Sequence, residues 1–86
     1  MYRLQYSKLA QKHLLLLWQH KSLFENIAKI LSRMKENPFY PEPNFKKLKG
    51  TDLYSRRLNI QHRVVYEVNE LQKIIYVHRV WGHYGD

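Results

Sequence analysis

Leu53-Tyr-Ser-Arg-Arg-Leu-Asn-Ile60, Gln61-His62, Arg63-Val-Val-Tyr-Glu-Val68, and then Ile74-Ile-Tyr-Val-His-Arg-Val-Trp81 form the part of the sequence that decides the fold. Val, Ile and Tyr dominate these three runs, and short polar segments at Gln61-His62 and Asn69–Lys73 separate them, which predicts consecutive strands joined by tight connections. If Ile60, Gln61 and His62 make a three-residue loop, then Asn59 lies opposite Arg63, Leu58 opposite Val64, and Arg57 opposite Val65. Leu58, Ile60 and Val64 then face a core, and Arg57 and Arg63 point together to the other face. Two arginines side by side on a sheet repel one another and invite an anion between them.

Upstream the period changes from strand to helix. A helix begins near Ser7 and runs to about His20. Leu9, Lys12, His13 and Leu16 share one side of it, and Leu14, Leu15, Leu17 and Trp18 widen the apolar stripe, which predicts packing on more than one side. A second helix is predicted over Ser22–Glu36. Ser22 and Glu25 fit a capping box at its start, and Phe24, Ile27, Ile30, Leu31 and Met34 recur at helical spacing. Asn37-Pro38 ends it, because a residue before proline disfavours the α region. The pair reads as an αα-hairpin and is too short for sustained coiled-coil heptads. Pro38-Phe-Tyr-Pro-Glu-Pro43 is the one proline cluster, read as a stiff extended crossing, and Gly50-Thr-Asp52 marks a turn. Lys46–Lys49 and Tyr2–Tyr6 are candidate further strands. The economical architecture is α+β, with two N-terminal helices on one face of a small antiparallel sheet in a single domain over residues 1–86.

Composition narrows the function. Eighty-six residues suffice for one domain, and a chain of this size buries only about 60–65% of its unfolded surface. With no cysteine, disulfides, thiolate zinc sites and a cysteine nucleophile are excluded. The longest strictly apolar run, Leu14 to Trp18, is far short of a membrane span, and no apolar h-region follows the first residues, so a cytoplasmic protein without a membrane partner is expected. Fifteen Lys and Arg against seven Asp and Glu give a formal charge of +8, a field that attracts polyanions such as nucleic acid. The excess is local: Lys46, Lys47, Lys49, Arg56, Arg57 and Arg63 accompany one acid, Asp52. A solvated basic face with no partner explains the same charge.

Chemistry then rests on histidines, carboxylates, arginines and tyrosines. His13, His20 and His62 read as structural or surface residues. His78 and His83 lie five apart with no matching carboxylate in sequence, so no metal and no cofactor are expected. No phosphate-cradling glycine loop or serine-hydrolase motif is present. Glu42 sits between Pro41 and Pro43, whose fixed φ gives a carboxylate a rigid mount suited to a general base, although prolines around an acid are also ordinary loop composition. His83-Tyr84 follows Trp81-Gly82 near the chain end, in a pattern that suggests a docked tail.

Taken in order, Asn37-Pro-Phe39, Pro41-Glu-Pro43, Leu48-Lys-Gly50, Ser55-Arg-Arg57, His62-Arg-Val-Val-Tyr66 and His83-Tyr84 resemble the Txe/YoeB branch of the RelE-like toxins of toxin–antitoxin pairs. The resemblance implies a metal-independent endoribonuclease that cuts mRNA in the ribosomal A site and is silenced by an acidic antitoxin. By position it puts the general base on Glu42, the transition-state arginine on Arg63, the general acid on His83 and a supporting tyrosine on Tyr84. Arg57 matches the second arginine of Ser-Arg-Arg, with Arg56, Lys46, Lys47 and Lys49 as further phosphate contacts. The chain departs from the pattern where Asn44-Phe45 precedes Lys46-Lys47, leaving open which lysine holds the phosphate, and where Gly85-Asp86 extends the tail. A homodimer and a toxin–antitoxin hetero-oligomer are both open as assemblies. A non-catalytic basic RNA- or ribosome-binding module, a gyrase-inhibiting relative of the same fold, and an inactive toxin that keeps antitoxin binding are the competing readings.

Overall fold

The structure is a computed structural model that describes residues 1–41, 45–58 and 62–80. Its elements run β1 (Arg3–Tyr6), α1 (Lys8–Leu17), α2 (Lys21–Glu36), β2 (Lys46–Lys47), β3 (Tyr54–Arg57), β4 (Arg63–Asn69) and β5 (Ile74–Arg79). The strands form one sheet in the order β1-β5-β4-β3-β2. The last four are antiparallel neighbours, as expected. β1, however, pairs with β5 in parallel, Arg3 to Ile74 through Tyr6 to Val77, so the sheet is mixed. The physical reason is the path of the chain: the helical hairpin carries it away from β1, and β5 returns alongside in the same direction.

Ser7 caps α1: its hydroxyl accepts from the Ala10 amide at 2.9 Å and donates to the His78 carbonyl at 2.6 Å, fixing the helix start to β5. The capping box expected at Ser22 does not form. α2 begins one residue earlier, at Lys21, with His20 as its cap residue and no side-chain cap bond. Its end follows the expectation: Asn37 takes an extended conformation after Glu36. Asn37–Tyr40 then forms a turn, not an extended crossing, with the Asn37 side chain accepting from the Phe39 amide at 3.0 Å. Gly50 has φ 77° in the turn whose Leu48 carbonyl accepts from the Thr51 amide, a conformation that L side chains resist.

The core lies between the helices and one sheet face. Ala10 and Leu17 of α1 and Ile27, Ile30, Leu31 and Met34 of α2 pack on Leu58, Val64, Tyr66, Ile75, Val77 and Val80. The α2 face matches its spacing. α1 differs from expectation: Ala10, His13 and Leu17 are its buried stripe, and Leu9, Leu15, Leu16 and Trp18 stay exposed, because only one side of the helix meets the sheet. Among the described residues no helix is long and apolar enough to cross a membrane.

Candidate nucleic-acid interface

The expected hairpin register is displaced by two residues. Arg57 pairs directly with Arg63, Arg56 with Val64, and Ser55 with Val65. The Leu58 amide donates to the His62 carbonyl at 2.8 Å, so the β3–β4 connection begins and ends one residue earlier than expected, which shifts the pairing by two. The displacement is even, so it preserves parity, and the two arginines still share a face. They are now directly opposite one another, closer than the sequence register placed them.

Parity assigns the rest. Val64, Tyr66, Val77 and Ile75 face the helices, leaving Ser55, Arg57, Arg63, Val65 and Glu67 on the opposite face, where Arg57 and Glu67 are exposed, Arg63 is half-buried, and Ser55 and Val65 are buried. Lys46 pairs with Ser55 and so joins that face, whereas Lys47 pairs with Tyr54. Arg63 donates to the Ser55 hydroxyl at 3.4 Å, leaning toward β3 and β2. Lys47 and Lys49 line a shallow basin of about 480 Å³ around the Leu48–Asp52 turn. The three lysines of the basic stretch therefore serve two places. Among the described strand residues Glu67 is the only carboxylate, and among the described residues neither Arg57 nor Arg63 has an ion-pair partner. Among the described residues, the Lys46–Arg57–Arg63 end of this face is cationic and has no ion pair.

Arg56 does not join it. The opposite parity turns it inward, where it is fully buried. Its guanidinium lies 3.7 Å from the Tyr40 ring centroid and 4.8 Å from that of Phe45, and donates to the Pro38 carbonyl at 3.2 Å and the Tyr66 hydroxyl at 3.3 Å. Tyr66 itself donates to the Pro38 carbonyl at 2.7 Å. Burial pushes the Tyr66 hydroxyl up to about 12, against the opposing pull of Arg56. The expected phosphate contact is thus a clamp on the segment that leads into Glu42. The sequence signal was present in parity: in Tyr54–Arg57, alternate residues face inward, so one of two adjacent arginines must be internal.

Glu42, His83 and Tyr84, together with the docked tail expected around Trp81-Gly82, lie outside the described residues. What surrounds the segments bearing them is described. Pro41 follows the clamped turn. Val80, the last described residue of the C-terminal run, is fully buried, and its amide donates to His13 Nδ1 at 3.3 Å. Burial, and then the charges of Arg79 and Lys12, hold His13 below the ordinary imidazole value, which keeps Nδ1 free to accept. His13 is structural, as expected. His78 does have a carboxylate neighbour that the sequence spacing hid: its Nε2 lies 2.8 Å from Glu67 Oε1 across β4 and β5. A register irregularity at Val65/Tyr66 sets Arg79 opposite Val65 and leaves His78 as the extra residue beside Glu67. Among the described residues no group of three potential metal ligands exists.

A mixed five-stranded sheet, two helices on one face and an arginine pair on the other define the geometry to be compared with known proteins. The family model for the YoeB-like toxin of bacterial type II toxin-antitoxin systems matches residues 8–84. The chain belongs to this family. Solved structures agree. The YoeB–YefM complex from Staphylococcus aureus matches with TM-score 0.82 and 27% identity, over 98% of this chain and 99% of that one. The intact E. coli RelBE toxin–antitoxin complex matches with TM-score 0.79 and 28% identity over the full length of both chains. The archaeal RelE–RelB complex from Pyrococcus horikoshii OT3 gives TM-score 0.82 and 28% identity over 99% and 98%. No curated protein matches the chain. The YoeB-like membership makes this protein a toxin of the toxin–antitoxin class; the strand and helix patterns imply an α+β layer pair, and the solved structures make it RelE-like.

Proposed function

We propose that this YoeB-like toxin is a metal-independent endoribonuclease that cuts ribosome-bound mRNA, and that an acidic antitoxin silences it by covering the same surface. The observation that carries this reading is the Arg57–Arg63 pair, directly opposite on the face away from the helices, with Lys46 on the same face and no ion-pair partner among the described residues. A phosphodiester is the natural anion for two adjacent guanidinium groups, which donate in planar forks to its oxygens.

RNA brings its own nucleophile. Glu42 removes the proton of the 2′-hydroxyl, whose oxygen attacks the adjacent phosphorus in line. Arg63, with Arg57 beside it, stabilises the added negative charge on the phosphorane-like transition state. His83 in its imidazolium form gives its proton to the departing 5′-oxygen, with Tyr84 supporting it. The products are a 2′,3′-cyclic phosphate and a 5′-hydroxyl. Arg56 clamps the Pro38–Tyr40 turn, which precedes Glu42 in the chain. The antitoxin reading is supported by the solved relatives that are described as toxin–antitoxin complexes and by the +8 charge to be neutralised.

The experiment is inducible expression of the wild type against His83→Ala, scoring growth and mRNA cleavage together. Growth arrest with cleavage by the wild type, both lost in the variant, is the expected result. Arrest without cleavage in both would favour a binding module that blocks translation without cutting.

A further inference from the structure

The open face does not end at its arginines. About four residues along β4 from Arg63, roughly 13 Å at the usual strand rise, the surface changes from cationic to hydrogen-bonding, with the Glu67 carboxylate as its one charged group among the described lining residues. There a pocket of about 190 Å³ is lined by Gln5, Glu67, Asn69, Gln72, Ile74 and Tyr76. Cross-strand register builds it: Gln5 pairs with Tyr76, and Tyr76 with Glu67, so the three stand in one row across β1, β5 and β4.

We propose that this pocket receives a nucleobase of the RNA strand whose phosphate lies at Arg57 and Arg63, and that it favours bases carrying an amino group over uracil. The proposal rests on the nuclease reading and deepens it by naming a base subsite. Three observations carry it. The first is the wall: Tyr76 offers a ring beside the row, held edge-on by the His78 ring at 4.7 Å. Such a ring stacks any base. The second is the polar set. His78 occupies one oxygen of Glu67 at 2.8 Å and fixes the carboxylate, leaving its other oxygen to accept from an exocyclic amine. Gln72 accepts from Asn69 through its side-chain oxygen, at 3.4 Å, which orients its amide nitrogen as a donor, and the Gln72 amide bonds back to Asn69 at 3.0 Å. The third is charge. Among the described residues the pocket is lined by one carboxylate and no cation, which disfavours a phosphate there and suits the base, while Arg57 and Arg63 suit the phosphate. Uracil presents a single N–H and two carbonyls, which the carboxylate repels. Adenine, cytosine and guanine each present an amine on the edge that single-stranded recognition uses.

The test is a fluorescence-anisotropy titration, at low salt, of short labelled single-stranded RNAs: an all-uridine strand and strands with one cytidine, adenosine or guanosine. The proteins are wild type, Tyr76→Ala, Tyr76→Phe, Glu67→Ala and Arg57→Ala, with circular dichroism confirming the fold of each. Wild type should prefer the amine-bearing strands. Tyr76→Ala should weaken all strands by roughly 5- to 150-fold, the worth of one stacked base, and Tyr76→Phe should restore them. Glu67→Ala should erase the preference between strands. Binding that falls with Arg57→Ala yet is indifferent to Tyr76→Ala and Glu67→Ala would overturn the pocket and leave the phosphate site standing. RNA binding unaffected by any of the four variants would overturn both.

Discussion

Tyr66→Phe removes one hydroxyl from the clamp behind the sheet, and its cost has a pH signature. The Tyr66 hydroxyl donates to the Pro38 carbonyl at 2.7 Å and accepts from Arg56 at 3.3 Å. Without it, Arg56 still donates to that carbonyl at 3.2 Å, so the acceptor keeps a partner and the guanidinium loses one. The cost at neutral pH should be about 1–3 kcal/mol, the range for a buried bond to a charged group. A second effect runs with pH. The hydroxyl titrates at about 12 when folded, against about 10 unfolded. Between those values the unfolded chain has already released the proton and the folded one has not, so stability falls as pH rises. At pH 11 the wild type should have lost about 1.4 kcal/mol from this group alone, and the variant none. Chemical denaturation of both proteins at pH 8 and pH 11 measures the gap between them, and differencing cancels the other tyrosines. The gap should shrink, or change sign, at the higher pH. An equal gap at both would mean that Tyr66 is not buried in this clamp.

Two other consequences are accessible. His13 is held below the ordinary imidazole value, so the unfolded chain binds its proton first; stability is full above about pH 6.5 and falls as pH drops toward the folded value. His13→Gln should flatten that loss in an acid denaturation series. RNA or ribosome binding should weaken with salt at a log–log slope of about −0.7 per single-strand phosphate neutralised. Lys46→Ala should reduce that slope and, because Lys46 shares the face of Arg63, also slow cleavage, whereas Lys47→Ala and Lys49→Ala should reduce binding alone.

Much of the fold was legible because two periods separate cleanly in the chain. The α2 stripe, the helix stop at Asn37-Pro38 and the Gly50 turn follow from local rules that no tertiary contact overrides here. What escaped was decided by tertiary context. Ser22 resembles a cap, yet the cap of α2 falls two residues earlier because His20 and Phe24 already close the first helical bond. The leucines of α1 promised burial on two sides, but among the described residues β5, β1 and α2 cover only the Ala10–His13–Leu17 side, with Leu14 at its margin. A hairpin register also depends on where the loop is placed: three residues separate Leu58 from His62, as many as expected, but the connection begins one residue earlier, and the resulting even slip moved every pair without changing a face. For the site the same parity mattered more than motif. Arg57 and Arg63 kept their face, Arg56 lost it, and Glu67–His78 came together through strand pairing eleven residues apart, which no linear spacing displays.

The central claim is that proton transfer and charge stabilisation at this face cut RNA. Single-turnover cleavage of ribosome-bound mRNA at saturating toxin tests it most directly, since defects in binding drop out there. Glu42→Gln and His83→Ala should each slow the step roughly 10²- to 10⁴-fold. Arg63→Ala should cost about 2.7–4 kcal/mol in barrier, as a lost oxyanion donor does, and Arg63→Lys should recover only part, lacking the planar fork. Combining Glu42→Gln with His83→Ala should cost far less than the product of the two, because the groups act as a unit. Wild-type rates in both Glu42→Gln and His83→Ala would contradict the account.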